Sequence, residues 1–140
     1  MCIRDRLTNS NETLNLDNIS METAAGSLTL SGPLSLTNSG QLNSTGGTIT
    51  LTSGGSASSG STISLPGSTL VQQGALLLSG ATLKAGNTTF TTNNNAISLA
   101  SNSILEVQGT QDLSGVVPDN TSTLRLGANA SINDLSLIHI

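Results

Sequence analysis

Apolar residues recur along this chain in three separate columns, with a step of 20 or 21 residues and a single shorter step of 18. A period in the range of about 20–50 residues is typical of a repeat architecture, in which each unit stacks on the next. Three columns that keep one step indicate three strands per turn of a solenoid. The columns are Leu7, Leu28, Ile49, Leu70 and Phe90; Leu16, Leu36, Ala57, Leu78, Leu99 and Val117; and Met21, Leu42, Ile63, Leu83, Ile104 and Leu124.

The local pattern around the columns indicates strands. Apolar and polar residues alternate in "SLTL", "TITLT", "TISL" and "TLRLG", and "TGG", "SGG" and "AGN" stand between such runs as turns. A spacing near seven also fits a coiled coil, but glycine, asparagine, serine and threonine are poor helix formers. We predict an all-β fold, a single-stranded right-handed parallel β-helix with three sides, about 20–21 residues per coil and roughly six coils.

The third column has an ambiguous register after Ile104. If Ile104 points inward, strict alternation also buries Glu106, and an unpaired carboxylate in the core is very costly. We therefore expect the register to slip by one residue, as at a bulge, with Leu105 and Val107 inward and Glu106 outward. The stretch "TQDLSGVVPDNTS" that follows is irregular, and we predict a protruding turn around Pro118.

The two terminal hexapeptides are related to each other through base pairing. "MCIRDR" can be encoded by ATG-TGT-ATA-AGA-GAC-AGx, and the reverse complement of that DNA encodes "LSLIHI". This DNA word resembles the transposon end that sequencing-library kits attach to inserts, and such segments are excluded from fold reasoning. We predict that residues 1–6 and 135–140 are library-derived, that residues 7–134 are a fragment of a longer solenoid, and that Cys2 and His139 have no functional role.

Composition disfavours several classes of function. Residues 7–134 contain two basic residues, Lys84 and Arg125, against seven acidic ones, a formal charge of −5. The lack of a basic patch disfavours nucleic acid and anionic membrane surfaces, and no apolar run approaches the roughly 18 residues of a membrane span. This stretch contains no cysteine or histidine, which removes thiolate metal sites and the usual nucleophile–base pairs. We predict no cofactor, no metal and no point active site.

One row of charges offers an alternative to that prediction. Lys84 and Arg125 lie two coils apart, each follows an inward column residue, and Glu106 lies between them. Some β-helical polysaccharide lyases and hydrolases place catalytic charges on a strand face, so these three residues are candidate catalytic groups of a carbohydrate-active enzyme. A surface ion-pair ladder, with roughly 0–1 kcal/mol per pair, is the competing interpretation. The enzyme requires the charges to line a groove roofed by residues 111–122, whereas the ladder requires an open face.

Asp112 and Asp119 fall in the irregular stretch and have two interpretations. Their carboxylates could supply oxygen ligands to a calcium ion. Aspartate is also a common turn residue, because its side chain bonds to the backbone two residues on. The glycine- and aspartate-rich repeat of calcium-binding β-rolls is missing, since "GGSASSG" contains no aspartate. We therefore expect the turn role.

A short threonine array is the last pattern of note. Thr29, Thr50 and Thr91 each follow an inward residue of the first column, and Val71 interrupts the series. Threonine arrays on solenoids order water in ice-binding proteins, which makes ice binding a remote alternative. It requires the three threonines on one flat exposed plane. Outward threonine is also a favourable strand residue in general, and we expect that simpler role.

The segments "GSLTLSGPLSLTNSGQLNSTGGTITLTSGG" and "ALLLSGATLKAGNTTFTTNNNAISLASNSILEVQG" resemble bacterial surface adhesins. The resemblance is to autotransporter passengers and filamentous-haemagglutinin-like exoproteins, and it lies in composition and period over nearly all of residues 7–134. It implies a long right-handed β-helix, extracellular or at the bacterial cell surface, with contiguous coils at both ends. The expected function is a structural and adhesive stalk whose partners are proteins or glycans of a host or neighbouring cell.

Overall fold

A computed structural model describes the backbone of residues 2–3, 6–9, 11–93 and 96–133, and the side chains of residues 11–93 and 96–133. These residues form twenty strands and no helix. The strands are β1 (Cys2–Ile3), β2 (Arg6–Asn9), β3 (Leu14–Asp17), β4 (Ser20–Thr23), β5 (Ser27–Leu30), β6 (Leu34–Thr37), β7 (Gln41–Ser44), β8 (Thr48–Leu51), β9 (Gly55–Ala57), β10 (Thr62–Pro66), β11 (Thr69–Gln72), β12 (Leu76–Ser79), β13 (Thr82–Gly86), β14 (Thr89–Thr92), β15 (Ile97–Ala100), β16 (Ile104–Gln108), β17 (Thr110–Gln111), β18 (Val116–Pro118), β19 (Thr123–Leu126) and β20 (Ser131–Ile132).

The strands stack in three parallel sheets. Sheet A has the order β1-β4-β7-β10-β13-β16-β19, sheet B the order β14-β11-β8-β5-β2, and sheet C the order β18-β15-β12-β9-β6-β3, while β17 and β20 form a separate pair. Each turn of the chain therefore adds one strand to each side. The predicted fold class is confirmed as an all-β solenoid of about six coils.

The pairing register confirms most of the three-column prediction. Leu28, Ile49 and Leu70 are successive partners in sheet B, and each is at most 1% exposed. Leu7 and Phe90 extend the same column at its two ends. Because every coil contributes an inward aliphatic residue above the previous one, the core is continuous along the axis. Burying each such side chain contributes roughly 1.5–3 kcal/mol.

The third column passes through Leu105 and not through Ile104. Leu105 pairs with Leu83 in the neighbouring coil, and both Leu105 and Val107 are buried while Ile104 and Glu106 are half-buried. The predicted slip of one residue is confirmed. The slip lies in the preceding turn, because the pairing within β16 runs without interruption.

A longer corner absorbs the slip. Three residues separate β15 from β16, whereas two separate β12 from β13 in the previous coil. Ser101 and Asn102 in the longer corner both have positive φ, 53° and 64°. Left-handed dihedral angles turn the chain sharply, so the extra residue is accommodated before the strand begins.

The second column ends differently from its prediction. Val117 pairs with Ser98 and is 48% exposed, whereas Val116 is fully buried. The assignment of Val117 to the core is wrong because the preceding turn sets Val116 inward, and alternation then points Val117 outward. The protruding turn predicted at Pro118 is also wrong, since Pro118 is the last residue of β18 and the partner of Leu99. Proline is tolerated there because β18 is an edge strand of sheet C.

Residues with left-handed dihedral angles occupy the corner at which the chain leaves sheet A after β7, β10, β13, β16 and β19. Glycine lacks a Cβ, and asparagine tolerates this region better than most residues, so these two residue types occupy the corner. The residues, with φ between 52° and 79°, are Gly46, Gly67, Asn87, Gly109 and Asn129. The corner between sheets C and A also contains left-handed residues, such as Asn38 and Ser39. Space is a further constraint there, because a Cβ at Gly40 would collide with the carbonyl oxygen of Leu16 in the neighbouring coil.

The side chains of the inward column of sheet A become exposed at β19. Leu124 and Leu126 pair with Leu105 and Val107, yet they are 44% and 59% exposed. In the part of the chain that the structure describes, β19 is the last strand of sheet A. Apolar residues in core positions are therefore exposed at this end of the stack.

We expect Ile63→Asp to unfold the solenoid. Ile63 is 1% exposed and lies between its partners Leu42 and Leu83. A buried carboxylate without a partner costs about 3–5 kcal/mol, a large part of the roughly 5–15 kcal/mol that stabilises a domain. A thermal melt followed by circular dichroism measures the loss.

Ser64→Asp is the matched control for that substitution. Ser64 is the next residue of β10 and is half-buried on the outer side. A surface substitution of this kind changes stability by about 0.5 kcal/mol or less. Equal melting temperatures for Ile63→Asp and Ser64→Asp would contradict the column assignment.

Candidate functional site

Two outer faces of the solenoid carry the residues that the sequence singles out. Alternation turns every second side chain of a strand away from the core, and the parallel register stacks these side chains in rows. The charged row runs along sheet A and consists of Glu22, Asn43, Ser64, Lys84, Glu106 and Arg125. The hydroxyl face covers the strands β5, β8, β11 and β14 of sheet B and consists of two rows, Ser27, Thr48, Thr69 and Thr89 beside Thr29, Thr50, Val71 and Thr91.

The structure brings Lys84, Glu106 and Arg125 together in the charged row. Glu106 is the register partner of Lys84 on one side and of Arg125 on the other. Lys84 Nζ lies 3.9 Å from Glu106 Oε2, and the two side chains are 47% and 26% exposed. Arg125 is also exposed. Water and salt screen charges in such a setting, so the ion pair contributes roughly 0–1 kcal/mol.

The charged row lies on an open face. Residues 111–122, the roof that an enzyme would require, contribute Leu113 and Val116 to the core and β18 to sheet C, a different side of the solenoid. The cavity beside Lys84 has a volume of about 70 Å³, and a second one beside Glu22 about 140 Å³. Ligand pockets usually hold about 300–1,000 Å³. The geometry favours surface ion pairing, and carbohydrate cleavage stays a prediction.

The hydroxyl face contains two rows of side chains. The row with Thr29, Thr50 and Thr91 is predicted above from the sequence, and the row that begins with Ser27 is a second one. Thr29, Thr50, Val71 and Thr91 are successive register partners, so the array proposed from the sequence lies in one line. The row that begins with Ser27 runs beside it, two residues away along each strand. Its signal in the sequence is a β-hydroxy residue on both sides of an inward residue, in "SLT", "TIT" and "TFT", with "TLV" as the variant.

Several hydroxyl and amide side chains lie inside the solenoid. The Ser68 hydroxyl donates to the carbonyl oxygen of Ser44 at 2.9 Å and accepts from the N–H of Gly46 at 3.1 Å. In a later coil, Gln111 Oε1 accepts from the N–H of Thr88 at 3.0 Å, and Gln111 Nε2 donates to the Thr88 carbonyl oxygen at 2.7 Å. These bonds satisfy backbone groups at corners, which would be costly to bury unpaired. Their role is structural.

Asp112 and Asp119 act as turn residues, which confirms the expected role. Asp112 accepts from a backbone N–H two residues on, at 2.8 Å. Asp119 accepts at 2.8 Å from the hydroxyls of Ser122 and Thr121, and at 3.1 Å from the N–H of Ser101 in the neighbouring coil. The hydrogen bond from the Ser122 side chain is the largest cause that lowers the pKa of the Asp119 carboxyl from 3.8 to about 2, and the bond from the Thr121 side chain is the next largest. Asp119 therefore links two coils as a carboxylate.

The described residues contain no group of three or more His, Cys, Asp and Glu side chains that could hold a metal ion. None of their secondary structure is a helix long and apolar enough to cross a membrane. The sequence prediction about Cys2 and His139 concerns side chains outside the described residues.

The chain is a parallel β-solenoid with two outer surfaces on which side chains repeat in rows, the charged row and the hydroxyl face. Compared with known proteins, the chain matches no family model, no curated protein and no solved structure.

We expect Asp119→Asn to lower stability above about pH 4 and to have little effect near pH 2. Folding lowers the pKa of Asp119 to about 2, so the ionised carboxylate stabilises the folded chain above its unfolded pKa of about 3.9. This contribution is lost as the pH falls through about 2. Melting temperatures of both proteins across this range measure the effect.

Asp112→Asn is the control for the change in net charge, because it removes one carboxylate from a neighbouring turn. The difference between the two variants reports the bonds that Asp119 receives from Thr121, Ser122 and Ser101. An Asp119 carboxylate that titrates near pH 3.9 in a nuclear magnetic resonance experiment would contradict these bonds.

Proposed function

We propose that the chain is a segment of the stalk of a secreted or cell-surface bacterial adhesin. The observation that carries the proposal is the continuous register of sheet A, in which each strand from β4 to β16 is hydrogen-bonded on both sides. Stretching such a stack along its axis would break whole rows of backbone hydrogen bonds, so the solenoid is stiff. Roughly six coils at about 4.8 Å per coil span about 29 Å, and each added coil extends the stalk equally.

The exposed column residues of β19 support a longer parent protein. Leu124 and Leu126 hold core positions by register, yet about half of each side chain is exposed. One further coil would cover both and add backbone hydrogen bonds along β19. Contiguous coils of the parent protein are therefore the natural partners of the β19 end of the stack.

The outer surface supports adhesion that is spread over rows and not concentrated in one pocket. Hydroxyl and amide groups repeat on sheets A and B at the spacing of the coils, and both cavities near the charged row are small. Such rows can form many weak hydrogen bonds with proteins or glycans of a host or neighbouring cell. An extracellular location is consistent with the lack of cysteine and the low charge of residues 7–134.

The charged row supports a second candidate, a carbohydrate-active β-helix. The specific observation is that Lys84, Glu106 and Arg125 lie on three successive strands. In a reducing-sugar assay on a panel of polysaccharides, the stalk predicts no turnover. Turnover that is lost in Glu106→Gln and kept in Glu22→Gln would favour the enzyme, because Glu22 is in the same row but distant from the two cations.

A DNA read through the parent locus on both sides of codons 7–134 tests the stalk proposal. We expect the reading frame to continue into further coils with a step of about 20 residues, followed by a domain for secretion across the outer membrane. The two terminal hexapeptides would then be absent from the genome. A locus that encodes both hexapeptides and stops there would overturn the proposal.

A further inference from the structure

We propose that the hydroxyl face of sheet B binds ice, a neutral periodic lattice of hydrogen-bonded water. The face presents seven β-hydroxy residues in eight positions, arranged as two rows across four successive strands. This inference does not depend on the stalk proposal, because it rests on the outer side of one sheet.

The register gives the hydroxyl face a two-dimensional repeat. Along the axis, neighbouring residues of a row are separated by one coil, about 4.8 Å. Across the face, residues such as Thr48 and Thr50 are two positions apart in a strand, roughly 6.6–6.8 Å. A surface with two fixed repeats can hold a first layer of water in a regular arrangement, and a growing crystal can incorporate that layer.

The face is rigid before anything binds. Directly beneath it, Leu28, Ile49 and Leu70 are at most 1% exposed, and the strands β5, β8 and β11 are paired on both sides. Threonine and valine are branched at Cβ, which restricts the first side-chain torsion angle. Little conformational freedom remains to be lost on binding, so even weak contacts add to affinity.

Charge complementarity favours an uncharged partner. No ionisable group occupies the eight positions of the hydroxyl face, whereas the outer side of sheet A carries Glu22, Lys84, Glu106 and Arg125. The single aromatic residue of the chain, Phe90, holds an inward column position. The face therefore offers hydroxyls and methyl groups and no ring on which a sugar could stack, which favours water over polysaccharide.

Val71 is the one residue of the eight positions without a hydroxyl group, so a substitution at this position can test for increased ice binding. Valine has the shape of threonine but lacks the hydroxyl, so Val71 keeps the methyl lattice and interrupts the hydrogen-bonding row. Val71 is half-buried and on the outer side of β11, where a hydroxyl can be hydrated. We expect Val71→Thr to complete the row and to increase ice binding.

The experiment measures thermal hysteresis and partitioning into a growing ice front for the whole chain. Thr50→Lys places a flexible charge in the centre of the face and should abolish both activities. Thr62→Lys is the matched control, since Thr62 is a half-buried threonine on the outer side of sheet A. Circular dichroism checks that both variants keep the strand signal of the unsubstituted chain.

Ice activity in the unsubstituted chain, retained in Thr62→Lys, lost in folded Thr50→Lys and increased in Val71→Thr, supports the proposal. A folded chain without thermal hysteresis or ice partitioning overturns it, as does equal activity in the two lysine variants. Retention on crystalline cellulose or chitin that Thr50→Lys abolishes, in a chain inactive toward ice, also overturns it and assigns the face to a polysaccharide.

Discussion

The parallel hydrogen bonds between successive coils determine where every side chain of this protein lies. Because partners in neighbouring strands keep one register, a residue that points inward lies above another inward residue, and outward residues form rows. A slip of one position would exchange the two sets, which would place threonine and lysine in the core. The aliphatic core and the outer faces are therefore two consequences of one constraint.

The corners between the sheets let an imperfect repeat keep that register. The step in the third column is 21 residues from Leu42 to Ile63 but 22 from Leu83 to Leu105. Because the register within the strands is unbroken, the difference lies in the corners. Left-handed glycine and asparagine make tight turns at low cost. Inside the corners, Ser68 and Gln111 pair with backbone groups that the turns leave free. The strands keep the same register in every coil because differences in the length of the repeat are taken up by the corners.

Most of the fold was predictable because two periods act together, alternation within a strand and the step of a coil. Alternation within the strand and the step of the coil both assign Ile63 and Leu70 to the core, and both residues are buried. Val117 was assigned wrongly because the direction of a strand residue depends on the length of the preceding turn, which the sequence does not reveal. Ser68 was missed as a buried residue because a serine hydroxyl is compatible with water and with a backbone partner.

The candidate faces were predictable in part for the same reason. The alignment of Lys84 with Glu106 follows from the step of the coil once the slip is accepted. The second row of the hydroxyl face is encoded at the same step, since Thr48 and Thr69 each precede a column residue. Whether a row binds anything is a separate question, since register determines the position of a side chain and not its partner.

A repeated face also changes how binding energy relates to sequence. One hydrogen bond contributes about 0.5–1.5 kcal/mol net, too little for a single threonine such as Thr50 to act as a site. On a rigid stack the later contacts are effectively intramolecular, so affinity grows with the number of coils that engage together. For a face that binds a partner, as proposed, the length of the solenoid would set the number of contacts that engage together. On the proposed ice-binding face, Val71 takes the place of a threonine in register with Thr50 and has the shape of threonine without its hydroxyl.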